Sequence, residues 1–391
     1  MNHITEDNGC PLAAARARCD DSGMVFLDSG TIGKGISILA SEPDFVLSGN
    51  DWGRLERELS SRRSDCPGDP GGAAVGFVSF DGTHHFGFYD SLHVFSHESG
   101  RWTNRPRDFG TGPTGETARL SFAPRMPKEG FLGMVGRARE YIAAGDIYQV
   151  CLAHPFVAEA GEQRAWSYFE RLRQVSPAPF SAFLNTGGLR VASSSPECFL
   201  RMSGRNITTR PIKGTRPRKS DPQSDRLSAR KLVASAKEIA ELVMITDLER
   251  NDLGRVCEYG SVRATDLLRL ETFEQVFHLV STVEGRLREG VSHVRALREC
   301  FPGGSISGAP KKRALEIIGE LEPYPRGLYT GVIGYFGYNG ESQFSIAIRT
   351  AVFEKGHASF HVGAGIVADS VPEKEWQETH DKAAGLLLAA E

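Results

Sequence analysis

The sequence has no Cys-x-x-Cys pair, no excess of one charge and no apolar run near the roughly 18–20 residues of a membrane span. Its seven cysteines are Cys10, Cys19, Cys66, Cys151, Cys198, Cys257 and Cys300, an odd set with irregular spacing. A zinc site and a disulfide framework are therefore not expected, and a reducing cytoplasm fits best. Cys151, Cys198, Cys257 and Cys300 read as inert core thiols. The net charge is −3, which argues against nucleic-acid binding even through the basic 201–219 segment. The N-terminus shows no basic stretch followed by an apolar one, so no secretory signal is expected. Lysine is scarce: only 11 of the 46 basic side chains. A lysine inside a motif therefore carries information.

The 391 residues are of ordinary globular composition, 24% charged and 40% hydrophobic. Residues 1–22 read as a loose leader. Short apolar runs over 23–50, a helix over 51–62, a Pro/Gly loop over 63–73 and two further strands follow. Residues 103–128 are polar and Pro-rich and read as a linker. This divides the chain into a β-rich N-terminal portion with its linker, 1–128, and a second portion, 129–391. In the latter, apolar residues at helical spacing predict helices over 129–144, 163–175 and 222–253. LETFEQVFHLVSTVEGRL reads as a strand or strand–turn–strand. LYTGVIGYFGY, SQFSIAIRTAVFE and ASFHVGAGIV read as three strands in series. Helices mixed with meandering strands, without βαβ alternation, predict an α+β fold.

Two glutamate pairs stand at i, i+3 spacing: Glu238 with Glu241, and Glu375 with Glu378. Each pair would share one face of a helix. Ser370, Glu373 and Pro372 look like a capping box with proline in the first turn. Such glutamates are as compatible with a solvated surface as with a site. Two pairs brought together would repel without a cation between them, and Mg²⁺ suits oxygen donors.

Eight segments occur in order between residues 193 and 384: SSSPECFLR, RPIKGTRPR, AELVMITDLERNDLGR, VFHLVSTVEG, FPGGSISGAPKKRALEII, YTGVIGYF, SIAIRT and VGAGIVADSVPEKEWQETHDKA. Together they resemble the chorismate-utilising enzyme family, strongly over 129–391 and more weakly before it. The resemblance implies a two-layered fold like that of anthranilate synthase component I, with antiparallel sheets, outer helices and an active site in a central cleft. It implies Mg²⁺ ligation by Glu241 and Glu378, supported by Glu238 and Glu375. It gives Arg349, Tyr329 and Gly365 the enolpyruvyl carboxylate of chorismate, places Thr215 and His278 beside the ring, and makes Glu197 the general acid that protonates the departing 4-hydroxyl.

Two positions discriminate within the family. Isochorismate and salicylate synthases carry a water-activating lysine where this chain has Gln149, and an amide cannot deprotonate water. Anthranilate synthases resemble RPIAGT, whereas this chain reads RPIKGT. Members with that lysine resemble aminodeoxychorismate synthase component I. There Lys213 would attack C2 as the 4-hydroxyl leaves, and ammonia would then displace it at C4. This needs a neutral amine, so the site is expected to lower the lysine pKa. No glutaminase elbow is visible, so a separate glutamine amidotransferase subunit is the expected ammonia source. Anthranilate synthase component I and an aminodeoxyisochorismate or isochorismate synthase stay open as alternatives. One departure is AHPF, which puts His154 where the family strand usually ends in Gln-Arg-Phe or Gln-Pro-Phe.

Overall fold

Met24 and Phe26 point to one face of their strand and Val25 to the other. This period-two alternation places the two sides of a strand in two different cores. The protein is described from a computed structural model, covering residues 9–30, 33–64, 68–107, 109, 119–273 and 276–391. Among these residues all strand pairing is antiparallel and gathers into two sheets.

The first sheet runs β17 (Gly308–Ala309), β9 (Gln149–Glu159), β21 (His357–Ile366), β20 (Thr350–Glu354), β11 (Arg190–Ser195), β10 (Phe180–Asn185), β1 (Met24–Asp28), β2 (Ile36–Ala40), β6 (His93–Ser96) and β7 (Arg101–Trp102). Strand β8 (Ala123–Pro124) adds to β9. The second runs β14 (Ile212–Pro217), β16 (Val276–Arg286), β13 (Asn206–Arg210), β12 (Cys198–Ser203), β19 (Glu341–Ile346), β18 (Val332–Gly337), β4 (Ala73–Val78), β5 (His84–Tyr89) and β3 (Phe45–Gly49). Strand β15 (Arg263–Thr272) lies along β16.

Val25, Ile38 and Val191 of the first sheet meet Val75, Ile333 and Tyr335 of the second in one shared core. Helices cover the outer faces. Helices α1 (Pro11–Arg16), α4 (Ala165–Val175) and α10 (Pro372–Leu388) bury Ala14, Phe169 and Leu386 against Phe26, Phe183 and Phe353. Helices α2 (Trp52–Ser61), α6 (Ala236–Gly254) and α7 (His293–Cys300) bury Leu55, Leu253 and Leu297 against Phe86, Phe336 and Phe344. Helices α3 (Lys128–Ala143) and α9 (Lys311–Leu321) pack on β9 around Phe131, Val150 and Ile317. Each fully buried Phe contributes about 1.5–3 kcal/mol. Helix α5 (Pro222–Val233) lies against β14, and α8 (Gly304–Ser307) is a single turn. The expected α+β fold is what is found.

Strands from both sides of residue 128 share each sheet: β1 pairs with β10, and β4 with β18.

Four expectations change. In the supposed leader, residues 11–16 form a helix whose Ala14 and Ala15 are fully buried; residues 1–8 lie outside the described residues. The helix expected over 222–253 is two helices. Ser235 ends the first approach and caps α6, its hydroxyl accepting from the Glu238 N–H. SQFSIAIRTAVFE is not one strand, because β19 and β20 belong to different sheets. Ser370 does not cap α10, whose cap residue is Val371; its hydroxyl accepts from the Val367 N–H instead.

Candidate active site

The strand β14 carries Lys213 at the edge of the second sheet. Lys213 pairs with Leu279 and Thr215 with His278, so two residues advance on one strand against one on the other. The extra residue, Gly214, has φ +74, and a Cβ there would lie 2.7 Å from Leu232 and 3.0 Å from Glu238 Oε2. Glycine at this bulge lets the α6 carboxylate press against the strand. Thr215 Oγ1 and His278 Nδ1 are 3.0 Å apart.

Helix α6 brings Glu238 and Glu241 to this strand, and α10 brings Glu375 and Glu378. Lys213 feels Glu241, Glu197 and Glu378 together. Glu241 in turn feels Glu238 and Glu378. One glutamate of each pair, Glu241 and Glu378, therefore acts on the same lysine. Arg216 stands 3.5 Å from Glu238 and Lys237 3.8 Å from Glu241. Lys382 bonds Glu378 at 2.8 Å and donates to the Gly363 carbonyl at 2.8 Å, tying α10 to β21.

Burial would draw the proton from Lys213, but the attraction of Cys151, Glu241, Glu197 and Glu378 outweighs it and the ammonium is held above its usual pKa. The expectation of a lowered lysine pKa is thus corrected for the protein as it stands. Burial raises Glu241 and Glu375, with partial relief for Glu241 from Lys213 and Lys237. Burial works against the Glu378 anion too, but Lys382, Lys237 and Lys213 outweigh it and hold its carboxyl down.

Glu197 lies in the turn between β11 and β12, only 6% exposed. Burial raises its carboxyl, opposed by Ser305, Lys213, the Ile212 backbone and Lys382. Its Oε1 has no hydrogen-bond partner among the described residues, nor has Ser305 Oγ. A buried carboxyl held toward the neutral form is what an acid catalyst needs.

Arg349 occupies the passage from β19 to β20, with φ +50, a conformation a non-glycine residue adopts at a cost. Burial alone lowers the pKa of its guanidinium. Among the described residues no ion pair or side-chain hydrogen bond engages it, which leaves a cation open to an anion. Burial, aided by the Arg349 charge, pushes the His278 imidazole down to about 4, so it is neutral near pH 7. Tyr329 stacks on His361 with ring centroids 5.5 Å apart, and its hydroxyl lies against Gly363. Gly365 faces Cys151 across the ladder, and a Cβ there would come within 2.7 Å of Gln149 Nε2.

Among the described residues, no group of three or more His, Cys, Asp or Glu closes around a point that would hold a metal. The donors nonetheless suit a hard divalent cation. They are carboxylates, and Glu375, 3% exposed, has Oε2 without a partner.

Pairwise spacing did not reveal several residues. Arg326 and Glu322 form a nearly fully buried ion pair at 2.7 Å. Arg326 also donates to the carbonyls of Ile306 and Cys151, and Glu322 accepts from the Ala153 N–H. This pair fixes the floor strand and the 304–307 turn. A lone arginine in PYPRG gives no periodic signal for it. Lys382 was legible in principle, since it stands four residues after Glu378.

The pattern of the chorismate binding enzyme family matches residues 34–388. This chain belongs to the chorismate binding enzyme family. The chain is 45% identical over 291 residues to anthranilate synthase component 1 of Thermus thermophilus, covering 72% of the chain and 61% of that protein. It is 44% identical over 271 residues to aminodeoxychorismate synthase component 1 of Bacillus subtilis, covering 69% and 57%. The match spans little more than half the length of these curated relatives. The crystal structure of anthranilate synthase component I from Streptococcus pneumoniae TIGR4 superposes with TM-score 0.79 at 30% identity, covering 90% of the chain and 92% of that structure. The fold is therefore that of anthranilate synthase component I. Among the described residues no helix is long and apolar enough to cross a membrane.

Proposed function

We propose that the protein is aminodeoxychorismate synthase component I, converting chorismate and ammonia to 4-amino-4-deoxychorismate. The observation that carries this reading is Lys213, half-buried and within electrostatic reach of Glu197, Glu241 and Glu378. In this reading Glu197 gives its proton to the 4-hydroxyl, which leaves as water. The Lys213 amine forms a C–N bond at C2 as the ring double bond shifts. Ammonia then bonds to C4 and Lys213 departs. Arg349, with Tyr329 and the Gly365 backbone, holds the enolpyruvyl carboxylate, and Thr215 and His278 flank the ring. Glu241 and Glu378, backed by Glu238 and Glu375, would hold Mg²⁺, whose chemistry is to offset their charge and grip the ring carboxylate. That offset weakens what holds the proton on Lys213. The word component in the relatives' names supports a partner, and a glutamine amidotransferase subunit would supply the ammonia.

The anthranilate synthases among the relatives favour a second reading, amination at C2 to anthranilate. Incubation with chorismate, Mg²⁺ and ammonium at alkaline pH separates the two. The expected product is a non-fluorescent amino compound identified by mass, which a separate lyase converts to p-aminobenzoate. A fluorescent anthranilate product overturns the first reading. Lys213→Ala should abolish C4 amination, and an unchanged rate would remove the covalent step.

A further inference from the structure

Two of the described cysteines are partly exposed, Cys10 at the N-cap of α1 and Cys151 on β9. Cys19, Cys198, Cys257 and Cys300 are buried. Burial pushes the thiols of Cys19 and Cys198 up to about 12 and that of Cys257 to about 11. Such thiols are poor nucleophiles. Cys151 is partly exposed, and it stands on β9 directly opposite Gly365. Its Sγ donates to the Ser305 carbonyl at 3.5 Å. The Gln149 amide reaches the same sulfur at 4.0 Å. The buried Cys198 and Cys300 also reach a carbonyl, of Phe344 and Asp252, but no side-chain amide. Cys151 faces the strip of missing side chains that Gly363 and Gly365 leave in β21.

Gln149 and Ser305 touch this sulfur and Glu197 neighbours Ser305, and each has a polar side-chain atom without a partner among the described residues. These atoms are Gln149 Oε1, Ser305 Oγ and Glu197 Oε1, on side chains 0%, 5% and 6% exposed. Buried polar atoms are nearly always paired, so a cluster of three orphans marks a place a polar ligand fills. After burial, the Cys151 charge has the largest influence on Lys213. The sulfur, on β9 of the first sheet, therefore lies within electrostatic reach of Lys213 on β14 of the second.

We propose that Cys151 forms the wall of the substrate pocket opposite Lys213, and that it is the pocket's modifiable thiol, open to small electrophiles in the free protein and shielded when chorismate binds. This rests on the cleft being a chorismate site. Iodoacetamide serves as the probe. A C–S bond forms, the C–I bond breaks, iodide leaves and the thiol proton passes to solvent. The added carboxamidomethyl group would occupy the space beside Gln149 and Ser305 and so block the ligand.

The test measures labelling at each cysteine by peptide mass spectrometry, with chorismate binding followed separately by calorimetry in Mg²⁺. In the free protein Cys151 should label well ahead of Cys19, Cys198, Cys257 and Cys300. At chorismate about twenty times its dissociation constant, the Cys151 rate should fall about twentyfold. Labelled protein should lose chorismate binding in step with the fraction of Cys151 modified, whereas Cys151→Ser should bind chorismate equally before and after the same treatment. Failure of Cys151 to label in the free protein, or chorismate binding without protection, overturns the inference and leaves the functional reading standing. No chorismate binding by the untreated protein overturns the functional reading and the inference with it.

Discussion

Glu197 and Glu249 are both buried carboxyls, and their surroundings set them different tasks. Glu197 opens onto the cleft with an unpaired oxygen. Glu197→Gln keeps the shape and removes the proton, so turnover should fall about 10²–10⁴-fold with little change in chorismate affinity, read by steady-state rates and calorimetry. Glu249 lies beneath the cleft on α6, where its Oε2 accepts from the Thr209 hydroxyl. Burial raises its pKa to about 8, with further pressure from Glu197 and Asp252. The folded protein thus holds this proton more tightly than the unfolded chain. Its contribution to stability is fully present below the usual carboxyl pKa and is lost as pH rises through 8, by about 5 kcal/mol in all. Glu249→Gln should therefore gain stability over the natural protein progressively from pH 5 to pH 8 in urea titrations. Parallel curves would show that the carboxyl is not neutral in the fold. The residue types at the cleft were legible because each stands inside a motif. The charge state of Lys213 was not, since it depends on four groups from separate segments.

Elements were legible where local signals suffice. The Pro372 start of α10 and the Gly145 end of α3 need only backbone chemistry. The break at Ser235 and the sheet change at Arg349 were not, because each depends on a distant surface to pack against. His154 is another case. It is fully buried on β9, stacked on Trp376 of α10 at 4.8 Å, and away from the substrate side. Thr379 Oγ1 donates to the Trp376 carbonyl, so it accepts from His154 Nε2–H at 3.0 Å. Nδ1 is then bare. Burial, with the His380 charge, pushes the imidazole down to about 4. The unfolded chain binds the proton more tightly, so stability is full above about pH 6.5 and is lost as pH falls toward 4, by about 3 kcal/mol. His154→Phe should flatten that acid limb of the stability curve. An unaltered limb would place the titration elsewhere.

At the scale of the molecule, the two sheets are shared property. Two strands from before residue 128, β1 and β4, sit inside the sheets rather than at their edges. The composition shift near residue 128 is visible in the sequence, while the pairing that crosses it joins segments far apart in the chain and leaves no local mark. Residues 129–391 expressed alone should lack a cooperative unfolding transition, because β10 and β18 would lose their partners and expose the core around Ile333. A sharp transition by circular dichroism would show that the second portion closes by itself.

The same interleaving sets an order in time. Strand β1 gains its β10 partner roughly 150 residues later in the chain, and β4 its β18 partner roughly 250 residues later. At about 5–20 residues per second, β4 waits on the order of 10–50 s on the ribosome with one edge unpaired and its inner face wet. Val75, Phe77 and Phe86 are then a sticky nascent surface. The finished fold cannot cover that surface during the interval.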